Sequence, residues 1–107
     1  MREMFFEEAS ELLASLEKGL GNLEAVALDG ARLDQVYRAA HSLKGAAGMV
    51  GYPAISDLAL AIERVLGHVR SGAASVDSEL ARSVASKRDE LAAVVRAEEE
   101  KFRASLA

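Results

Sequence analysis

The sequence predicts an all-α protein, an antiparallel up-down-up-down four-helix bundle. Three observations lead there. Apolar residues recur at steps of three and four along most of the chain, the spacing of one helix face. Ala, Leu, Glu and Arg are abundant, and there is one proline in 107 residues, a composition of good helix formers. The breaks between periodic stretches are only a few residues long, which makes successive helices antiparallel neighbours. No sustained period-two alternation marks a strand. The length suits one domain, taken as residues 1–107.

The first helix is expected from about Glu3 to Val26. Phe5, Ala9, Leu12, Leu16, Leu20 and Leu23 form its apolar stripe, and Gly19 and Gly21 weaken its end. Ala27-Leu28-Asp29-Gly30 reads as a turn. The second helix runs from about Ala31 to Val50, with Leu33, Val36, Ala40, Leu43, Ala47 and Val50 inward. Gly51 then stops it, and Pro53 opens the third helix, which runs to about Ser71. Ile55, Leu58, Ile62, Val65, Leu66 and Val69 are the buried stripe of that helix. Gly72-Ala73-Ala74-Ser75 is a short linker. Asp77 is a good N-cap for a fourth helix from about Ser78 to Ala104, with Leu80, Val84, Leu91, Val94 or Val95, and Phe102 inward. At 1.5 Å per residue each helix is about 30 Å long. Half the residues are hydrophobic but only 5% are aromatic, so the core is expected to be aliphatic.

Composition also excludes several function classes. Without cysteine there is no thiol chemistry and no disulfide, which fits a reducing, cytoplasmic setting. No apolar run approaches the roughly 20 residues that span a bilayer, and Met1-Arg2-Glu3-Met4 has no signal-peptide pattern. A net charge of −4 argues against nucleic acid, whose phosphate backbone wants a basic face. With no GxxxxGK[ST] loop and no glycine-rich strand–helix turn, nothing here is expected to bind ATP.

The chemistry-bearing stretch is Ala39-Ala40-His41-Ser42-Leu43-Lys44-Gly45-Ala46-Ala47-Gly48. Residues three, four and seven apart share a helix face, so His41 stands with Lys44, Gly45 and Gly48. Each glycine costs roughly 1 kcal/mol of helix propensity against alanine, and in return nothing tall stands beside the imidazole. Counting 100° per residue from Ala40 puts His41 about 100° from the centre of the apolar stripe, at the edge of the core. Glu63 follows Ile62 as His41 follows Ala40 and sits on the same kind of boundary. His41 lies nine residues before Val50, and Glu63 ten after Pro53, so a helical hairpin sets them at matching height. A carboxylate that accepts Nδ1–H fixes the tautomer and leaves Nε2 as a nucleophile. A free imidazole has a reference pKa of about 6.5, so its neutral form is plentiful near pH 7. Such a histidine can take a phosphoryl group, with Lys44 offsetting phosphate charge, Glu63 stabilising the ring and the glycines clearing room for a partner.

These residues resemble the phosphoacceptor motif of histidine-containing phosphotransfer (HPt) domains. Phe5-Phe6-Glu7-Glu8-Ala9-Ser10-Glu11-Leu12-Leu13 is similar to the first helix of the N-terminal HPt domain of CheA-type chemotaxis kinases. The likeness is rich in motif from about Phe5 to Gly72 and rests on helical pattern beyond. It implies a four- or five-helix fold and His41 as the phosphorylated residue. It also implies a histidine kinase ATP-binding domain as donor and a response-regulator receiver domain as acceptor. Lys44 and Glu63 match the positions that support the histidine in that type. Leu60 stands where some members carry a second histidine. ATP and Mg²⁺ belong to the partners, with no cofactor or metal expected in this chain and no autonomous catalysis. An isolated domain is expected to be monomeric.

Other readings have specific weaknesses. Di-metal bundles use Glu-x-x-His pairs, and here Arg38 and Val65 precede His41 and His68 by three. A helix-turn-helix over Gly51–Arg70 lacks a basic recognition face. A scaffold or interaction bundle without phosphotransfer explains the stripes but not the glycines around a boundary histidine. His68 reads as a solvated helix residue, Tyr37 as packing across the bundle edge, and Glu98-Glu99-Glu100 as a solvated helix end.

Overall fold

A computed structural model describes residues 2–107; Met1 lies outside the described residues. The chain forms α1 (Arg2–Leu20), α2 (Leu23–Ala27), α3 (Gly30–Val50), α4 (Pro53–Arg70) and α5 (Ser78–Leu106), with no strand among the described residues. The four long helices make the expected bundle. α3 packs on α1 and α4, and α5 closes the ring against both α4 and α1. The molecule measures 47 × 21 × 19 Å. Its long axis matches α5, whose 29 residues span about 44 Å at 1.5 Å each.

The expected first helix divides in two. Gly21 and Asn22 form a turn, with Gly21 N–H bonded to Glu17 C=O at 3.1 Å, and the chain restarts as the five-residue α2. Two glycines near one helix end remove the propensity that would carry it through. Gly19 has a second reason to be glycine, because a Cβ there would collide with the Val36 side chain on α3. The other boundaries follow local chemistry. Asp29 is more than a turn signal: its carboxylate accepts from Ala31 N–H at 3.1 Å and Arg32 N–H at 3.3 Å and so caps α3. Gly51 ends α3 at φ 85°, a left-handed conformation open to glycine. Pro53 opens α4 and Asp77 caps α5 through Leu80 N–H at 2.8 Å.

Leu16, Leu43, Ile55, Ile62, Leu66 and Leu91 are fully buried. Burying each is worth about 1.5–3 kcal/mol. The stripe of α1 is rotated slightly from expectation, so Leu13 is buried while Leu12 is half-buried. On α4 Ala59 is fully buried, and Leu58, Val65 and Val69 pack at its edges. On α5, Val95 is the inward residue of the Val94–Val95 pair, and Leu80 and Phe102 are half-buried. The core is also less purely aliphatic than composition suggests. Phe5, Phe6, Tyr52 and Phe102 meet at one end, with ring centroids 5.1–5.6 Å apart. α1 starts, α3 turns into α4 and α5 ends there, so nearly all the aromatics of a poor set fall in one layer.

Candidate functional site

α3 and α4 form a tight hairpin, and the candidate residues lie midway along it. His41 Nδ1 is 2.7 Å from Glu63 Oε1. Lys44 Nζ is 2.9 Å from Glu63 Oε2. One carboxylate thus holds both α3 side chains, one oxygen each. Lys44 meets Oε2 as an ion pair, and no aligned hydrogen bond reaches that oxygen. The matched heights inferred from counting along the hairpin are realised as direct contact.

Burial differs along this row. The His41 side chain is 61% exposed and that of Lys44 28%. Glu63 is 7% exposed overall, buried rather than at the expected boundary. The reason is that α3 covers it: Glu63 sits on the side of α4 that faces α3, inside the most extensively packed helix pair of the bundle. Burial pushes its carboxyl upward, toward the neutral form. Lys44 and His41 outweigh that, and the net displacement is below the ordinary value of 4.5. Glu63 is therefore ionised at neutral pH. An ionised carboxylate only accepts hydrogen bonds, so the proton in the short contact belongs to His41 Nδ1. The Nε2 lone pair is then left on the far side of an exposed ring.

Lys44 is placed differently from the role expected of it. Its ammonium is turned onto Glu63, so its first effect is to keep that carboxylate charged. Gly45 is exposed, and a Cβ there would meet nothing within 4 Å. Gly48 is also exposed but lies nearer α4: a Cβ there would rest 3.7 Å from Ser56 Oγ, an ordinary contact. His68 is exposed near the end of α4, away from this row. Tyr37 packs against Gly67, and the Arg70 guanidinium lies 4.6 Å over its ring. Among the described residues no cluster of three His, Cys, Asp or Glu side chains is arranged to hold a metal ion.

Sequence reasoning missed Ser56. Its Oγ donates to the Lys44 carbonyl at 3.0 Å from within the interface. Lys44 is thus tied to α4 at both ends, by its main chain to Ser56 and by its ammonium to Glu63. The signal was present, because Ser56 and Glu63 are seven residues apart and share a helix face. A serine in mid-helix has too many other uses for that spacing to single it out.

The Hpt domain family profile matches residues 1–101. The chain belongs to that family. Among its relatives, chemotaxis protein CheA of Salmonella typhimurium is 35% identical over 78 residues, which cover 73% of this chain and 12% of that protein. CheA of Listeria monocytogenes is 36% identical over 80 residues, 75% of this chain and 13% of that protein. The CheA phosphotransferase domain from Thermotoga maritima has the same fold, with a TM-score of 0.77 at 28% identity, covering 88% of this chain and 90% of that one. The chain spans 12–13% of the length of those two full-length relatives. No helix among the described residues is long and apolar enough to cross a membrane.

Proposed function

We propose that this domain is a phosphorelay module of two-component signalling that carries a phosphoryl group on His41. The observation that supports the reading most strongly is the 2.7 Å contact between His41 Nδ1 and an ionised, buried Glu63. It fixes the tautomer and reserves Nε2 for reaction. The Nε2 lone pair attacks the γ-phosphorus of ATP held by a histidine kinase ATP-binding domain, the bond to the bridging oxygen breaks, and ADP leaves. The ring becomes cationic, and its Nδ1–H stays hydrogen-bonded to Glu63, which offsets the charge. In the second transfer an aspartate oxygen of a receiver domain attacks phosphorus. The P–N bond breaks and its electron pair returns to Nε2.

The tasks divide among five residues. His41 is the nucleophile and Glu63 orients it. Lys44 holds Glu63 ionised and adds positive charge beside the phosphate. Gly45 and Gly48 keep the surface low enough for a partner to come in line. ATP and Mg²⁺ reside in the partners, so this chain needs no cofactor and catalyses nothing alone. Residues 1–107 act as one monomeric domain in the cytoplasm.

The test is intact-mass detection of phosphate after exposure to phosphoramidate, to a panel of histidine kinases with ATP, and to phosphorylated receiver domains. One acid-labile phosphoryl group per chain is expected, mapped to His41. The His41→Gln variant should keep its fold, since the side chain is largely exposed, and take up none. Continued uptake by that variant overturns the assignment. A non-catalytic scaffold would show no uptake by the native chain under any of these conditions.

A further inference from the structure

Ser56 makes a hydrogen bond of an unusual kind for this chain. A serine inside a helix ordinarily bonds back to the carbonyl four residues earlier. Here the half-buried hydroxyl turns away from α4 and donates to the Lys44 carbonyl of α3 at 3.0 Å. Among the described residues, the other serine hydroxyls that donate, those of Ser71 and Ser105, reach only carbonyls three residues back. Gly48 lines the passage. A Cβ there would stand 3.7 Å from Ser56 Oγ, and its absence leaves the α3 main chain open to the hydroxyl.

Lys44 reaches both ways along the hairpin. In an α-helix the carbonyl points toward the C-terminal end, and the Cα–Cβ bond leans toward the N-terminal end. The Lys44 carbonyl therefore faces the α3–α4 turn, where Ser56 follows Pro53 by three residues. Its side chain leans the other way, toward Glu63, which lies about 10 Å beyond Ser56 on α4. There the ammonium meets Oε2 at 2.9 Å and His41 Nδ1 meets Oε1 at 2.7 Å. Of these three contacts, only the one from Ser56 grips α3 by its main chain, so it bears directly on the height of one helix against the other. Part of the packing resists sliding poorly. Ala40, Ala47 and Ala59 are fully buried on these two helices, and side chains that short make shallow knobs. A slip of about 0.5 Å would carry the His41–Glu63 contact from the short end of N–H···O distances to the long end.

We propose that Ser56 is a positioning residue for phosphoryl uptake: its bond to the Lys44 carbonyl pins α3 on α4 at the height where Glu63 holds His41 Nδ1. This rests on the reading of His41 as a phosphoryl carrier. Ser56 touches neither the imidazole nor the phosphoryl group. It acts through Lys44 and Glu63, by keeping their shared geometry. When the pin is lost, the Nδ1–H bond to Glu63 lengthens and the ring is free to place its proton on Nε2. That tautomer has no lone pair on the exposed nitrogen and cannot attack phosphorus.

The experiment compares the native domain with Ser56→Ala, Ser56→Val and Ser56→Thr. Valine and threonine have nearly the same shape, and only threonine keeps the hydroxyl, so that pair separates the hydrogen bond from packing. Two quantities are read. One is the rate of loading at His41 by phosphoramidate. The other is the tautomer of the His41 ring, from its ¹⁵N resonances at a pH where the ring is neutral, with the exposed His68 as internal reference. Partners that orient a ligand histidine directly are worth about 10–100-fold. Ser56 acts one step further out, so loading should slow about 3–10-fold in Ser56→Ala and Ser56→Val. In both variants the Nε2–H form of His41 should grow while the His68 signals stay in place. Ser56→Thr should be native in rate and tautomer. A lowered denaturation midpoint with native tautomer and native loading in Ser56→Ala overturns the proposal and makes Ser56 purely structural. Threonine as slow as valine also overturns it, because the loss would then come from shape. Should Ser56→Val fail to fold, Ser56→Ala against Ser56→Thr makes the same comparison. Failure of the native protein to load at His41 would instead sink the phosphorelay reading, and the tautomers in the same samples would still decide what Ser56 holds in place.

Discussion

Glu63→Ala is the most informative single perturbation, because Glu63 is the one side chain that joins stability to reactivity. It is buried and holds two α3 side chains on its two oxygens. Breaking a fully buried ion pair by deleting one partner costs about 3–5 kcal/mol. Here the partners keep 61% and 28% of their side-chain exposure, and water can replace part of what is lost. Discounting by about half leaves roughly 1.5–2.5 kcal/mol. On a domain of this size that lowers Tm by about 6–10 °C. Glu63→Gln keeps the volume and one acceptor oxygen for His41 but leaves Lys44 unpaired, and should cost about 1 kcal/mol. Urea denaturation followed by circular dichroism measures both, with an unchanged m-value as the check on two-state behaviour. Carboxylates that orient a ligand histidine are worth about 10–100-fold, and the same order of loss is expected in phosphoramidate loading of Glu63→Ala. The pH dependence follows in sign. The folded-state pKa of Glu63 lies below the ordinary value of 4.5, so its contribution is fully present above that value. It is lost as pH falls through the lower, folded value. The stability gap between the native protein and Glu63→Gln should therefore be constant near neutrality and narrow below about pH 4.5. A cost under about 0.5 kcal/mol together with native loading would refute the coupling of burial, charge and orientation at this residue.

Three further outcomes test other parts of the site and fold. Lys44→Met removes the ammonium from Glu63 and should slow loading severalfold; a double-mutant cycle with Glu63→Gln should show a coupling of about 0.5–2 kcal/mol. Additive effects would mean that Lys44 acts without Glu63. Gly45→Leu enters open space and regains about 0.5–1 kcal/mol of helix propensity, while transfer to a receiver slows and phosphoramidate loading does not. Equal transfer rates would show that clearance at Gly45 is unimportant. Gly19→Ala forces a Cβ into Val36 and should destabilise the α1–α3 contact by about 1–3 kcal/mol, read as a lowered denaturation midpoint; a stability gain would show that the helices can part there without penalty.

Much of this was written in local chemistry. Apolar periodicity gave the four long helices, because burying one stripe per helix leaves few arrangements for short connections. Gly51 and Pro53 placed the hairpin turn within a residue. Equal counts from that turn placed His41 opposite Glu63, because rise per residue is nearly constant in an α-helix. The split of α1 was less legible, since two glycines weaken a helix without saying whether the chain bends, frays or restarts. The choice of Leu13 over Leu12 depends on how α1 rolls against α3, and a stripe broad enough to include both leaves that roll open.

Sequence by itself determined the fold class, the hairpin register and the identity of the three side chains that meet. Tertiary structure alone decided their environment. The burial of Glu63 comes from how closely α3 covers α4, and a helical wheel carries no information about that approach. The same closeness turned Lys44 inward onto a carboxylate instead of outward, and let Ser56 reach the Lys44 carbonyl. Angles about a helix axis can be counted from residue order, but distances between helices are set by the side chains packed between them.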